Sequence, residues 1–120
     1  MTDSETKPAS IVIFGASGDL SRRKLLPGLF NLCRKERLPR GFRIVGLALS
    51  DWSDADFRAA IGAGADQFAD FDFTDAEWEA FATRLSYIPG NFSDPAAYTR
   101  LAARLAAAED GPADRLYYLA

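Results

Sequence analysis

Residues 11–27 read Ile11-Val12-Ile13-Phe14-Gly15-Ala16-Ser17-Gly18-Asp19-Leu20-Ser21-Arg22-Arg23-Lys24-Leu25-Leu26-Pro27. Four apolar residues run into a glycine turn and then into an amphipathic stretch, the pattern of strand, tight turn and helix. A dinucleotide fold begins in this way: the turn leaves room for a pyrophosphate, and the helix N-terminus points unpaired N–H groups at it. Lacking a Cβ, Gly15 and Gly18 are free to take unusual backbone angles and let phosphate oxygens approach closely. A G-x-x-G turn alone is a weak signal, common in turns of no function. The longer string GDLSRRKLLP (18–27) is far more specific.

Outward from this stretch, the first strand is read over 11–15, and a helix from Leu20 to about Leu38 with apolar residues at Leu25, Leu26, Leu29, Phe30, Leu32 and Cys33. Pro27 is expected to kink that helix or start a second segment. Phe42 to Leu49 is the second strand. Ser53 is an N-cap for a helix carrying Phe57 and Ile61, which Gly62 and Gly64 weaken. Thr74-Asp75-Ala76-Glu77 fits a capping box, and Trp78, Phe81 and Leu85 then share one helical face. Residues 86–90 form a short third strand, weakened by Pro89. A cap at Ser93-Asp94 with Pro95 starts a helix through Tyr98, Leu101, Ala102 and Leu105 up to Gly111. Arg115 to Ala120 is a fourth strand. The order β-α-β-α-α-β-α-β implies an α/β fold, a Rossmann-like doubly wound parallel sheet ending after its fourth strand. Ligands of such sheets bind beyond the carboxyl ends of the strands, here Gly15–Gly18, Leu49–Asp51 and Gly90–Phe92.

Composition narrows the function. The 120 residues hold at most one domain, with 48% apolar and 26% charged residues. No apolar run approaches the roughly 20 residues of a membrane span. The polar, acidic opening MTDSETKPAS is read as a disordered tail over 1–10 and carries no secretory signal, so a cytoplasmic location is expected. A lone Cys33 excludes an internal disulfide. The absence of histidine removes the commonest general base and metal ligand, so no catalytic or metal-binding residue is expected in this stretch. Eight basic residues against one acid lie between Leu20 and Arg43, whereas ten acids and four bases lie from Ile61 onward. A basic first third suits phosphate, although Arg34, Lys35 and Arg37 are explained by the end of the first helix alone. A pI near 4.9 and the lack of any nucleic-acid motif argue against a nucleic-acid partner. No G-x-x-x-x-G-K-[ST] is present, and Ser21 stands where an extended-type epimerase turn wants glycine.

The string G-A-S-G-D-L followed by Arg22-Arg23-Lys24 and Pro27 resembles the opening motif of glucose-6-phosphate dehydrogenases. IVGLALS (44–50), SYIPGNFSDPAAY (86–98) and RLYYLA (115–120) resemble that family's second, third and fourth strand segments, in order. The resemblance implies a coenzyme-binding domain over 11–120 of a longer protein. That protein would oxidise glucose 6-phosphate at C1 to the lactone, with hydride passing to NADP or NAD. It implies cofactor contacts at Gly15, Ala16, Ser17, Gly18, Asp19, Leu20, Ser21, Arg22, Leu49, Ser50, Asn91 and Phe92. The N–H groups of Gly18 to Leu20 and the Ser17 hydroxyl would be the donors. Asp19, awkward beside phosphate, is expected to cap the helix. Lys24 matches a lysine near the substrate. The family's catalytic histidine, its acidic partner and a second substrate lysine belong to a catalytic C-terminal part beyond residue 120, so the 120 residues alone are expected to be inactive. A homo-oligomer is expected of the full-length enzyme, with this part able to stand as a monomer. Leu49 departs from the family arginine that grips the 2′-phosphate of NADP, and Asp51 is placed to accept from a free ribose 2′-OH, which favours NAD. The alternative reading is a free-standing dinucleotide-binding sensor module without catalysis.

Overall fold

A computed structural model describes residues 9–39, 41–91, 93–109 and 114–119. The four strands are β1 (Ala9–Phe14), β2 (Arg43–Ala48), β3 (Leu85–Pro89) and β4 (Asp114–Leu119). They form one parallel sheet in the order β3-β2-β1-β4. The helices are α1 (Leu26–Arg34), α2 (Asp54–Phe68), α3 (Asp75–Ala82) and α4 (Pro95–Ala108). After β3 the chain crosses back over β1, so the winding direction reverses there, as the doubly wound reading requires.

Alternation along the strands splits the core in two. Ile11, Ile13, Ile44, Leu85 and Tyr87 face one side, with Leu26, Leu29 and Phe30 of α1, Phe57 and Ile61 of α2 and Phe81 of α3. Val12, Phe14, Val45, Leu47 and Ile88 face the other, under Ala97, Leu101 and Leu105 of α4. The first layer is rich in aromatic rings. Phe30 sits among Phe71, Phe73, Trp78 and Phe81 at centroid distances of 4.9–5.7 Å.

Several expectations shift. The read tail is structured from Ala9, because Ala9 and Ser10 pair with Asp114, Arg115 and Arg43; residues 1–8 lie outside the described residues. The first helix ends at Arg34, where Glu36 turns the chain with φ of 56°. Leu85 is on β3 and not on the helical face of Trp78 and Phe81, since α3 stops at Ala82. Ser93 does not cap α4: the Asp94 carboxylate accepts from Ala96 N–H at 2.9 Å, and Ser93 bonds Asn91 instead. That helix ends at Ala108, short of Gly111. The capping boxes Ser53/Asp56 and Thr74/Glu77 both form.

Pro27 does more than kink a helix. It has no N–H for the carbonyl four residues back, and the chain ahead of it widens into a π-type turn over Ser21–Leu25, closed by Leu26 N–H to the Ser21 carbonyl. Gly64, read only as a weak point of α2, is needed there: a Cβ would lie 2.9 Å from the Arg22 carbonyl oxygen. Pro89 is tolerated because β3 is an edge. Ile44 N–H donates to Arg84 and Gly90 N–H to Ala48, so the even-numbered residues of β3 face β2 and the proline nitrogen faces outward.

Candidate functional site

The glycine turn follows β1 directly. Gly15 takes φ of 79° and donates to the Leu47 carbonyl at 2.8 Å, which pins the turn to the end of β2. A positive φ is what only glycine adopts without strain. Gly18 is favoured for a different reason. Its φ is not positive; a Cβ there would crowd the Gly15 carbonyl oxygen at 3.1 Å. Its N–H donates to that same carbonyl at 2.9 Å, whereas the sequence reading has it donate to phosphate. The donors left are the first-turn N–H groups of Asp19 and Leu20.

Gly15, Ser17 and Gly18 from the turn, Ala48 and Leu49 from the end of β2, and Gly90 and Asn91 after β3 line one hollow of about 310 Å³. It lies beyond the carboxyl ends of three adjacent strands, where a doubly wound sheet holds its ligand. Gly46 and Gly90 keep the walls close. A Cβ on Gly46 would meet the Ala16 Cβ at 2.6 Å and the Phe57 ring at 2.9 Å, and one on Gly90 would meet the Ala97 Cβ at 2.6 Å.

Hydrogen bonds tie the lips together. Ser50 donates from its hydroxyl to the Ser17 hydroxyl at 3.1 Å, and the Tyr87 hydroxyl donates to the Ser50 carbonyl at 2.7 Å. Burial pushes the Tyr87 phenol above its ordinary pKa, partly offset by its contacts with Ser17 and Ser50. The Asn91 side-chain oxygen accepts from the Ser93 N–H and hydroxyl, both at 3.0 Å, and Asn91 lines the hollow.

Of the residues expected to hold a cofactor, Gly15, Ser17, Gly18, Leu49 and Asn91 line the hollow and Ser50 adjoins it through Ser17. Asp19, Leu20 and Arg22 lie exposed on the first turn outside its lining. Asp19 is not a cap: the turn has no side-chain cap bond, and Asp19 pairs with Arg23 at 3.5 Å. Ala16 and Ser21 are fully buried and do not line the hollow. The Ser21 hydroxyl is left without a hydrogen-bond partner. Phe92 falls outside the described residues. Lys24 is exposed and lines a separate hollow with Arg23, Pro27, Asn31 and Phe68. Asp51 is exposed and not in the lining. Gly90 lies in a strand-end segment where the sequence places the ligand, whereas Ala48 was not among the expected contacts; its position at the carboxyl end of β2 is the signal that points to it.

A family profile described as "Glucose-6-phosphate dehydrogenase, NAD binding domain" matches residues 12–120. The chain belongs to the glucose-6-phosphate dehydrogenase family. Within it, the chain is 35% identical over 98 residues to "Glucose-6-phosphate 1-dehydrogenase 2" of Mycobacterium tuberculosis, covering 82% of this chain and 19% of that one. To the glucose-6-phosphate 1-dehydrogenase of Bacillus subtilis it is 32% identical over 123 residues, covering 100% of this chain and 24% of the relative. A solved "Glucose-6-phosphate dehydrogenase in complex with its substrate glucose-6-phosphate" superposes with a TM-score of 0.81 at 33% identity, over 95% of this chain and 24% of that one. The chain thus spans about a fifth to a quarter of the length of these family members. The parallel sheet with its flanking helices is the family's NAD-binding architecture.

Proposed function

We propose that residues 11–120 form the coenzyme-binding domain of a protein that oxidises glucose 6-phosphate at C1 to the lactone, and that the hollow under the glycine turn holds NAD or NADP. The observation that carries this reading is the hollow itself. Turn glycines, a strand-end hydroxyl pair and an asparagine amide converge beyond the carboxyl ends of β1, β2 and β3 in a chain of this family. The residues fit a dinucleotide, since a Cβ at Gly18 would crowd the turn and the first-turn N–H groups beside it are unpaired donors. The nicotinamide, when bound, accepts the hydride. The chain's own residues bind and orient: Asp19 and Leu20 N–H groups and the Ser17 hydroxyl meet the pyrophosphate, and Asn91 fixes the far lip. Lys24 reaches for the substrate phosphate or a sugar hydroxyl from outside the hollow.

Leu49 sets the preference. It is 75% exposed on the lip where the family arginine grips the 2′-phosphate, and it offers no charge. Arg23 is engaged by Asp19 and by the Phe68 ring at 4.9 Å, so of the two arginines after the turn Arg22 is the substitute cation. NAD is therefore expected to bind as tightly as NADP or more tightly. Equilibrium titration of the protein with each nucleotide tests this, alongside Leu49→Arg, which should move the preference toward NADP at least tenfold. A wild-type NADP preference above about a hundredfold, roughly 2.7 kcal/mol, sinks the reading of Leu49. Failure of both nucleotides to bind sinks the site. Glucose 6-phosphate-dependent reduction of either nucleotide by the full-length protein tests the activity.

A further inference from the structure

Four arginines from four elements meet at the end of the sheet opposite the glycine turn. Arg43 opens β2, Arg58 comes from α2, Arg84 from the turn before β3 and Arg104 from α4, and together they line a hollow of about 330 Å³. It lies at the amino ends of β2 and β3, a strand length away from the cofactor hollow at their carboxyl ends. No Asp or Glu lines it, and all four arginines are half-buried.

Local structure uses only part of each guanidinium. Arg58 donates through Nε and one terminal nitrogen to the Leu85 carbonyl at 3.0 and 2.8 Å. Arg84 donates to the Phe42 carbonyl at 2.9 Å and lies over the Phe42 ring at 4.9 Å. Arg43 donates to the Ser10 hydroxyl at 3.2 Å, which in turn donates to Glu109, a carboxylate already held by Arg115. Asp54 stands 3.6 Å from Arg104 and is, among the described residues, the one acid in pairing distance of any of the four. A guanidinium carries five N–H donors, so several on each of Arg58 and Arg84 stay unspent. Like charges gathered in a partly desolvated cleft repel one another and focus a positive potential that an anion relieves.

We propose that this hollow binds a small phosphate dianion, free orthophosphate or the phosphate of a phosphomonoester, with Arg58 and Arg84 as direct donors and Arg43 and Arg104 framing it. Guanidinium forks match phosphate oxygens, and bonds between ionised partners are the stronger kind. The volume is within the range of small-molecule sites and exceeds what orthophosphate needs, so a phosphomonoester has room. The site stands independently of the dehydrogenase reading.

The test is calorimetric titration of the full chain with orthophosphate and, separately, glycerol 3-phosphate. Ionic strength is held constant with potassium chloride, and NAD is present in excess to occupy the other hollow. Arg58 and Arg84 also hold main-chain carbonyls, so the deciding variant is Arg43→Gln/Arg104→Gln, which touches neither. Binding of at least one phosphate, weakened fivefold or more in that double variant and unchanged in the exposed Arg37→Gln, supports the site. Equal affinity for the two probes assigns recognition to the phosphate alone, whereas tighter glycerol 3-phosphate assigns it to a phosphomonoester. Heats no different from chloride, or binding that the double variant leaves intact, overturn the proposal, whatever NAD itself does.

Discussion

Glu36 shows how a single residue carries a local cost. It closes α1 in a left-handed conformation with φ of 56°, flanked by Glu36 N–H to the Cys33 carbonyl and Arg37 N–H to the Leu32 carbonyl. This is the helix-ending arrangement that glycine ordinarily fills. An L-residue there is strained by about 1 kcal/mol. Glu36→Gly is therefore expected to raise stability by about 0.5–1 kcal/mol, read as a higher denaturation midpoint with unchanged m-value. A lower midpoint would show that the Glu36 side chain stabilises the turn. Gly15 answers the same rule in the opposite sense. Its positive φ was legible because the residue type and the strand-turn-helix pattern agree. Ala16 and Ser21 look alike in sequence to their neighbours that line the hollow, and only their full burial separates them from Ser17.

Among the elements, β4 is held by its ladder with β1 and by a few polar bonds at its start. Its six residues are all exposed, and its side chains pack less than those of the inner strands. Arg115 grips Glu109 at the end of α4 with two bonds, of 2.7 and 3.0 Å, while Ser10 of β1 donates to the same carboxylate at 2.7 Å. The bonds from Arg115, then that from Ser10, hold the Glu109 carboxyl below its ordinary range against the opposing effect of burial. A carboxyl whose folded pKa is depressed adds stability that is complete above its unfolded value, about 4.3, and is lost as pH falls through the lower folded value. Glu109→Gln should therefore lower stability at neutral pH and flatten the fall below about pH 4.3. Chemical denaturation across the acid range checks this; parallel acid limbs in wild type and variant would remove Glu109 from the account. The pairing joins residues 99 apart, Ser10 and Glu109, so no local pattern announces it.

For the whole molecule, the two faces of the sheet are unequal. Among the described residues, three helices and a cluster of rings cover one, and α4 covers the other. Phe30 is the hub of the larger layer, fully buried between α1, α3 and the 69–74 segment that carries Phe71 and Phe73. Phe30→Ala should cost about 3–5 kcal/mol, a large fraction of the total stability of a domain this size. Urea denaturation followed by tryptophan emission of Trp78, whose ring is 5.3 Å from Phe30, would report it. A loss below about 1 kcal/mol would mean that the surrounding rings close the cavity.

By itself the sequence determined the class of fold, the parallel winding and the glycine turn. These rest on local signals: apolar runs of strand length, capping boxes, and glycine where the backbone must turn or let another group approach. It also carried the family, because GDLSRRKLLP is long enough to be specific. The tertiary structure alone decided which side chains of that motif face the hollow and which are buried. It also decided that Gly18 spends its N–H on the turn, and that Tyr87 and Ser50 brace the lip. The meeting of Arg43, Arg58, Arg84 and Arg104 is of the same kind. They are spread over 62 positions, counting from Arg43 to Arg104, and lie on four elements. Sequence periodicity places a residue on a face of its own element, but the distance between faces is set by how the elements pack.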